Sequence, residues 1–293
     1  MVAVAGWTYR RLYTGTVHNG LDRLAVSLLP GLLELPGLAD WFFVRFADPG
    51  GVHLRLRVRL PEPAIPDFDR LCEEKLQVLP RLPPFLYRPA LRIDIGERVV
   101  DQQSVLRIAR DTYLPETDKF GSTGMVRAEA LFQVSSEIAV EVLTQEDRGL
   151  YSRKTAAHAF MDAARESFVP EIAPSDFWTR YARHWFQRSG EDGNKLWAGL
   201  QGKAARLASA GLLADPLHVP EDARPLLGTW RRALGSCAQG YREDEGNTIP
   251  LPVLAGNFAH LMNNRLGLLP IEDAYYAVIL QRAMEPQSLA ADA

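Results

Sequence analysis

Four side chains that can carry positive charge alternate with apolar ones near the start of the chain. His53, Arg55, Arg57 and Arg59 interleave with Leu54, Leu56, Val58 and Leu60. A period of two sends one set to each face of a β-strand. Like charges on one face repel unless an anion, a carbonyl-rich ligand or solvent sits against them. Arginine adds a planar fork that donates paired hydrogen bonds to carboxylate or amide oxygens. Two readings fit. One is a solvated outer face whose arginines keep a sheet edge from aggregating. The other is a site for carboxylate, carbonyl or amide oxygens.

A second stretch with chemical potential is FAHLMNNRLGLL, residues 258–269. On a helix, His260 lies one turn from Asn263 and Asn264. Phe258, Leu261, Met262 and Leu266 supply an apolar surround. A histidine and two amides in such a stretch need hydrogen-bond partners. They either fix the docking of a helix or present His260 as a proton shuttle, since imidazole transfers protons both ways near neutral pH. HExxH, Walker, GxGxxG and GxSxG patterns are missing, so metal hydrolysis, nucleotide binding and serine hydrolysis have no support.

The elements that must position these groups follow from periodicity. Residues 7–13 read as a first strand and 19–29 as a helix, capped by Asn19 and interrupted at Pro30-Gly31, with a further turn open over 32–35 before Pro36-Gly37. Trp41 to Leu60 reads as a hairpin. Asp48-Pro49-Gly50-Gly51 forms its turn, because proline presets φ and glycine accepts φ > 0. A helix is expected over 67–79, a strand over Leu91–Ile95 and a short helix or strand over 104–110. Residues 114–122 read as a loop. Helices are expected over 124–143, 154–168, from 174, over 196–213 and 223–238, from Asn257, and over 270–284. The aromatic stripe Phe177, Trp178, Tyr181, Trp185 and Phe186 suits core better than a ligand cage. Strands concentrate in the N-terminal third. The fold class expected is α+β, an antiparallel sheet packed with a helix-rich C-terminal two thirds, as a single domain over 1–293.

Composition sets the limits. A 293-residue chain with 47% hydrophobic residues can bury a substantial core. Its net charge of −3 gives no global basic field, so no nucleic-acid partner is expected. Cys72 and Cys237 are the two cysteines, which suits a reduced, cytoplasmic setting and neither a disulfide framework nor a cysteine-based zinc site. No run approaches the roughly 18 apolar residues of a membrane span, and the N-terminus lacks the apolar core of a signal peptide.

The order of these pieces resembles the thiopeptide-type bacteriocin biosynthesis domain, found also as the C-terminal elimination domain of lantibiotic dehydratases. The matching residues are Trp7-x-Tyr9, WFFVRFADPGGVHLRLR (41–57), YLPETDKFGSTGMVRAEALF (113–132) and HLMNNRLGL (260–268). The resemblance implies that Arg55 and Arg57 bind the glutamate of a glutamyl ester in the elimination enzymes, and that His260 moves protons. The family's PExxRYGG motif places its glutamate at Glu116, its arginine at Lys119 and its glycines at Gly121 and Ser122. An ammonium does not reproduce a bidentate clamp. The chain is therefore more similar to the standalone pyridine synthases of thiopeptide biosynthesis. These join two dehydroalanines of a linear azole-bearing peptide in a formal [4+2] aza-cycloaddition, with loss of water and leader peptide.

That reaction needs a donor near the amide oxygen, for which Arg55 and Arg57 are candidates, and proton transfers, for which His260, Glu116 and a tyrosine such as Tyr87 or Tyr9 are candidates. Substrate contacts are expected at His53, Trp41, Lys119, Asn264, Arg265 and Tyr9. Arg45 and Arg59 read as structural or peptide-contacting. No cofactor and no metal are implied. The expected partner is a precursor peptide, with contacts to other biosynthetic enzymes and a homodimer left open. A standalone glutamate-elimination enzyme and a non-catalytic peptide-binding module are the alternatives.

Overall fold

The alternation in residues 51–60 builds the inner ladder of a four-stranded antiparallel sheet. The computed structural model describes residues 6–14, 19–48, 50–79, 106–187, 190–213, 215 and 217–285. Its strands are β1 (Gly6–Tyr13), β2 (Asp40–Asp48), β3 (Gly51–Leu60) and β4 (Arg107–Asp111), in the order β2-β3-β1-β4. The register opposes Arg57 to Tyr9 on β1 and to Phe42 on β2. One face therefore carries Trp7, Tyr9, Arg11, Tyr13, Phe42, Val44, Phe46 and the His53–Arg59 series.

The opposite face is apolar. Leu12, Trp41, Phe43, Leu54, Leu56, Val58 and Leu60 are all buried there. They share one continuous core with Leu24, Leu28 and Leu32 of helix α1 (Asn19–Leu33) and Phe68, Cys72 and Leu76 of helix α2 (Ile65–Gln77). The interruption expected at Pro30-Gly31 does not occur: α1 runs unbroken through Pro30 to Leu33. Burying Leu32 beyond the proline outweighs the one missing backbone bond. Gly31 has its own reason: a Cβ there would lie 2.5 Å from the Leu71 side chain, so a bare Cα lets α2 approach.

The remaining helices are α3 (Thr117–Phe120), α4 (Met125–Asp147), α5 (Arg153–Phe168), α6 (Pro174–Gln187), α7 (Gly190–Ser209), α8 (Arg224–Glu243), α9 (Leu251–Leu266) and α10 (Pro270–Ala283). The α+β class holds. Several boundaries differ from expectation: α7 starts and ends earlier than 196–213, and α8 and α4 run four or five residues past 238 and 143. Residues 114–122 contain the turn α3, because Phe120 is buried against Phe132 and Phe258 at 5.0 and 5.2 Å between ring centroids. Helix α9 begins before Asn257: Pro250 caps it and Pro252 sits in the first turn, where a missing N–H costs no hydrogen bond. Residues 107–111 settle as a strand. The Leu91–Ile95 strand and Tyr87 lie outside the described residues, as does the Asn19 side chain.

Strand β2 is an edge, and helices close it. Ser136 Oγ of α4 accepts from the Phe43 N–H at 3.2 Å. Asn264 of α9 acts as a one-residue strand, accepting from the Arg45 N–H at 2.8 Å and donating to the Arg45 carbonyl at 2.9 Å. The same region stops α9. Gly267 takes φ 84° beyond the helix end. Arg45 Nε donates to the Arg265 carbonyl at 3.0 Å and Arg153 Nη1 to the Leu266 carbonyl at 2.7 Å, placing two cations on the negative pole. Asp22 pairs with both arginines. Burial alone would raise its carboxyl, but Arg45 and Arg153 together hold it below the usual value. Arg45 is thus structural.

Replacing Asn264 with Ala strips the Arg45 backbone of both partners. Equilibrium urea unfolding should show a loss of about 1–3 kcal/mol. An unchanged midpoint would mean that water satisfies the β2 edge.

Candidate functional site

The charged face of the sheet is a layer of guanidinium groups laid on aromatic rings. Arg57 is only 6% exposed. Its guanidinium carbon lies 4.7 Å from the Tyr9 ring centroid, 5.2 Å from Phe42 and 5.3 Å from Tyr113. Arg55 sits 3.3 Å from the Phe46 centroid, and Arg59 sits 4.6 Å from Trp7. These ring faces carry negative quadrupole density, which tolerates adjacent cations that would otherwise repel. Arg59 is also neutralised by Asp40 at 3.0 Å and Glu129 at 3.2 Å. Arg57 differs. Among the described residues its Nε and Nη1 are buried without a hydrogen-bond partner. Burial lowers the pKa of its guanidinium, with Tyr9, Tyr113 and Glu116 opposing.

Arg265 adds a second buried cation. It is fully buried, donates from Nε to Ser136 Oγ at 3.1 Å and from Nη1 to the Leu261 carbonyl at 3.1 Å, and leaves Nη2 unpartnered. Burial pulls its pKa down to about 9, and the Arg57 charge pushes the same way. Glu116 is the acid acting on both arginines. It stands at the start of α3, paired with Lys119 at 2.6 Å on the exposed rim. Lys119 is therefore tied to its own neighbour. Orphaned buried guanidinium nitrogens are costly, and those of Arg57 and Arg265 lie on one charged layer.

Not every expected residue joins this cluster. Tyr9 does, as the ring beneath Arg57. Trp41 points to the opposite, apolar face and stacks on Phe43. His53 lies on the charged face but is packed between Tyr13 and Phe46, with centroids 4.5 and 5.6 Å away. Its Nδ1 lies 3.1 Å from the Gly51 carbonyl, and burial lowers its pKa to about 4, so the ring is neutral at pH 7. Asn264 has both amide atoms engaged by Arg45. Tyr113 belongs to the cluster and was not singled out. Its ring lies 5.4 Å from Trp7, and its hydroxyl donates to Glu129 at 2.8 Å. Burial raises its pKa, so the hydroxyl keeps its proton. Its place at the head of the YLPETDKFGS stretch was the available signal.

His260 heads a separate group. Its Nδ1 lies 2.8 Å from Asp273 Oδ2, and its ring lies 4.6 Å from Trp185. Asp273, from α10, is 1% exposed and also accepts from Tyr181 at 2.7 Å and Asn263 at 2.6 Å. The aromatic stripe on α6 is core, with Tyr181 partly buried against it. Helix α9 carries both groups, with His260 in one and Arg265 in the other. Among the described residues, no three His, Cys, Asp or Glu side chains converge to hold a metal ion, and no helix is long and apolar enough to cross a membrane.

An antiparallel sheet backed by this helical array, with a charged hairpin facing the α3 turn, defines a class of protein. The chain belongs to the lantibiotic biosynthesis dehydratase C-terminal family, whose model matches residues 7–284. Its fold is similar to that of the pyridine synthase TbtD from thiomuracin biosynthesis, at 18% identity and a TM-score of 0.63, covering 95% of this chain and 97% of that one. TsrL matches at 18% identity and a TM-score of 0.58, over 97% of this chain and 99% of that one. The tRNA-dependent lantibiotic dehydratase MibB from Microbispora sp. 107891 matches at 20% identity and a TM-score of 0.57, over 97% of this chain but 28% of that much longer one. At these identities the likenesses show a shared fold. No curated protein sequence matches the chain.

Two measurements follow from the electrostatics. Arg265→Met removes a buried cation at similar volume together with its hydrogen bonds to Ser136 Oγ and the Leu261 carbonyl, so the denaturation midpoint should change little. A loss above about 2 kcal/mol would mean that those hydrogen bonds outweigh the cost of burying the charge. His53 and His158 both have pKa values lowered from 6.5 to about 4, first by burial. The unfolded chain then binds more protons than the native one between those values. Stability is full above pH 6.5 and falls as pH drops towards 4. Replacing His158 with Phe should flatten part of that slope in pH-dependent melting.

Proposed function

We propose that the chain is a single-domain, cytoplasmic pyridine synthase acting on a modified precursor peptide. The reaction is a formal [4+2] aza-cycloaddition between two dehydroalanines, followed by loss of water and of the leader peptide. The observation that carries this reading is Arg57, buried among Tyr9, Phe42 and Tyr113 with two nitrogens unpartnered. A planar donor in an aromatic surround suits an amide oxygen. Donating to that oxygen favours the imidic-acid tautomer that serves as the 2-azadiene. Holding the two alkenes in register supplies much of the remaining barrier lowering, up to roughly 7–11 kcal/mol. Water and the leader amide must then leave with proton transfers, a role assigned to His260. Arg55, beside Phe46, and Arg265, beside Phe132, border the same face as further donors.

One observation favours a second reading. The unpaired nitrogens of Arg57 and Arg265 also suit a glutamyl carboxylate, as glutamate elimination requires. Against it, Lys119 stands where the family places an arginine and is held at the rim by Glu116. Two synthetic peptides with the cognate leader separate the readings by mass spectrometry. One carries two dehydroalanines among azoles; the other carries a glutamylated serine. Loss of water plus leader from the first, with the second untouched, is the expected outcome. Glutamate release from the second alone would establish elimination, and leader binding without conversion would leave a peptide-binding module. Arg57→Ala should lower conversion by at least about 100-fold, and full retention would move the site elsewhere.

A further inference from the structure

The His260 group contains more than an imidazole. Asp273 comes from a different helix, is 1% exposed and makes three hydrogen bonds. Oδ1 accepts from Asn263, while Oδ2 accepts from Tyr181 and meets His260 Nδ1. With Asp273 accepting from Asn263 and Tyr181, an Nδ1–H on His260 would complete its set of donors. The Tyr181 hydroxyl donates, and burial, ahead of the Asp273 charge, raises its pKa well above the usual value. Trp185 lies against the ring at 4.6 Å and restricts its rotation. The His260 side chain is still 29% exposed. With Nδ1 engaged, Nε2 is the nitrogen left to meet a substrate.

A packed core histidine has no use for this arrangement. Docking α9 onto α10 needs one hydrogen bond, and Asn263 already gives Asp273 one at 2.6 Å. His158 shows the contrast within the same protein. It is half-buried beside Tyr276 at 4.3 Å, and its Nε2 is buried with no partner among the described residues. Only His260 of these two combines a carboxylate on one nitrogen with an open edge on the other.

We infer that Asp273 is a positioning residue that holds His260 as the Nδ1–H tautomer, making Nε2 the proton-transfer atom, and that Tyr181 and Asn263 keep Asp273 in place. The catalytic half of this inference rests on the function proposed above. In the leader-expelling step, Nε2 takes a proton from the ring carbon. The C–H pair becomes the new double bond. The amide nitrogen leaves with the electron pair of its C–N bond and takes the proton back from the imidazolium. Asp273 stabilises the imidazolium between those events.

The test uses the intact chain with histidine side chains labelled with 15N. Six histidines are present, and the His260→Gln spectrum assigns the relevant signal. Above the titration range, the wild-type ring is expected to show a protonated Nδ1 and a bare Nε2. Asp273→Asn should shift that signal towards the other tautomer and lower kcat by about 100-fold or more, with KM little changed. Tyr181→Phe should give a smaller loss in kcat with the tautomer retained. A wild-type ring protonated on Nε2 overturns the proposal, and so does an Asp273→Asn protein that keeps its rate. If Asp273→Asn does not fold, the wild-type spectrum decides alone. If the wild type converts neither peptide substrate, the proposed function falls, while the tautomer still decides the pairing.

Discussion

A guanidinium removed from water must meet either an anion or polarizable faces, and around Arg57 the faces are what the protein provides. Three rings surround that side chain, and the ring of Phe132 lies beside Arg265. The arrangement explains why the charged side of the hairpin is neither a solvated edge nor an ordinary ion-pair lattice. It also explains the division of labour among the arginines. Arg45, Arg59 and Arg153 have carboxylates and hold the fold together. Arg57 and Arg265 have none within ion-pair distance among the described residues; like Arg45 at Nη2, they retain donors without a partner.

Helix α9 is the element through which this layer is fixed. Successive residues along it do different jobs. His260 reaches Asp273, Asn264 completes the β2 edge and Arg265 enters the aromatic layer. The end of the helix is then gripped by Arg45 and Arg153. Rotation of α9 would break all of these contacts together. The site is therefore rigid where the helix meets the sheet. Glu116 and Lys119 stand instead on a single helical turn at the rim.

The chain by itself determined the hairpin, the fold class and the family. These depend on local rules: a period of two, turn residues with fixed backbone demands, and motifs that keep their order along the chain. Most helices were legible for the same reason. The errors came where a local signal competes with burial, as at Pro30, or where proline opens a helix, as at Pro250 and Pro252. The two faces of β3 were also readable. What covers each face was not, because charge pattern alone fits a solvated edge and a binding layer equally well.

Tertiary structure decided which polar groups remain free. Asn264 and Asn263 look alike in sequence, yet one is used by Arg45, 219 residues away, and the other by Asp273. Trp41 and Phe42 are adjacent, and a strand sends them to opposite faces, one into the core and one beside Arg57. Tyr113, Tyr181 and Asp273 gain their significance only from partners on other elements. Sequence fixes which groups can donate, accept or carry charge. Whether a donor is spent inside the protein or left for a ligand depends on contacts between distant segments, and only the folded chain brings those together.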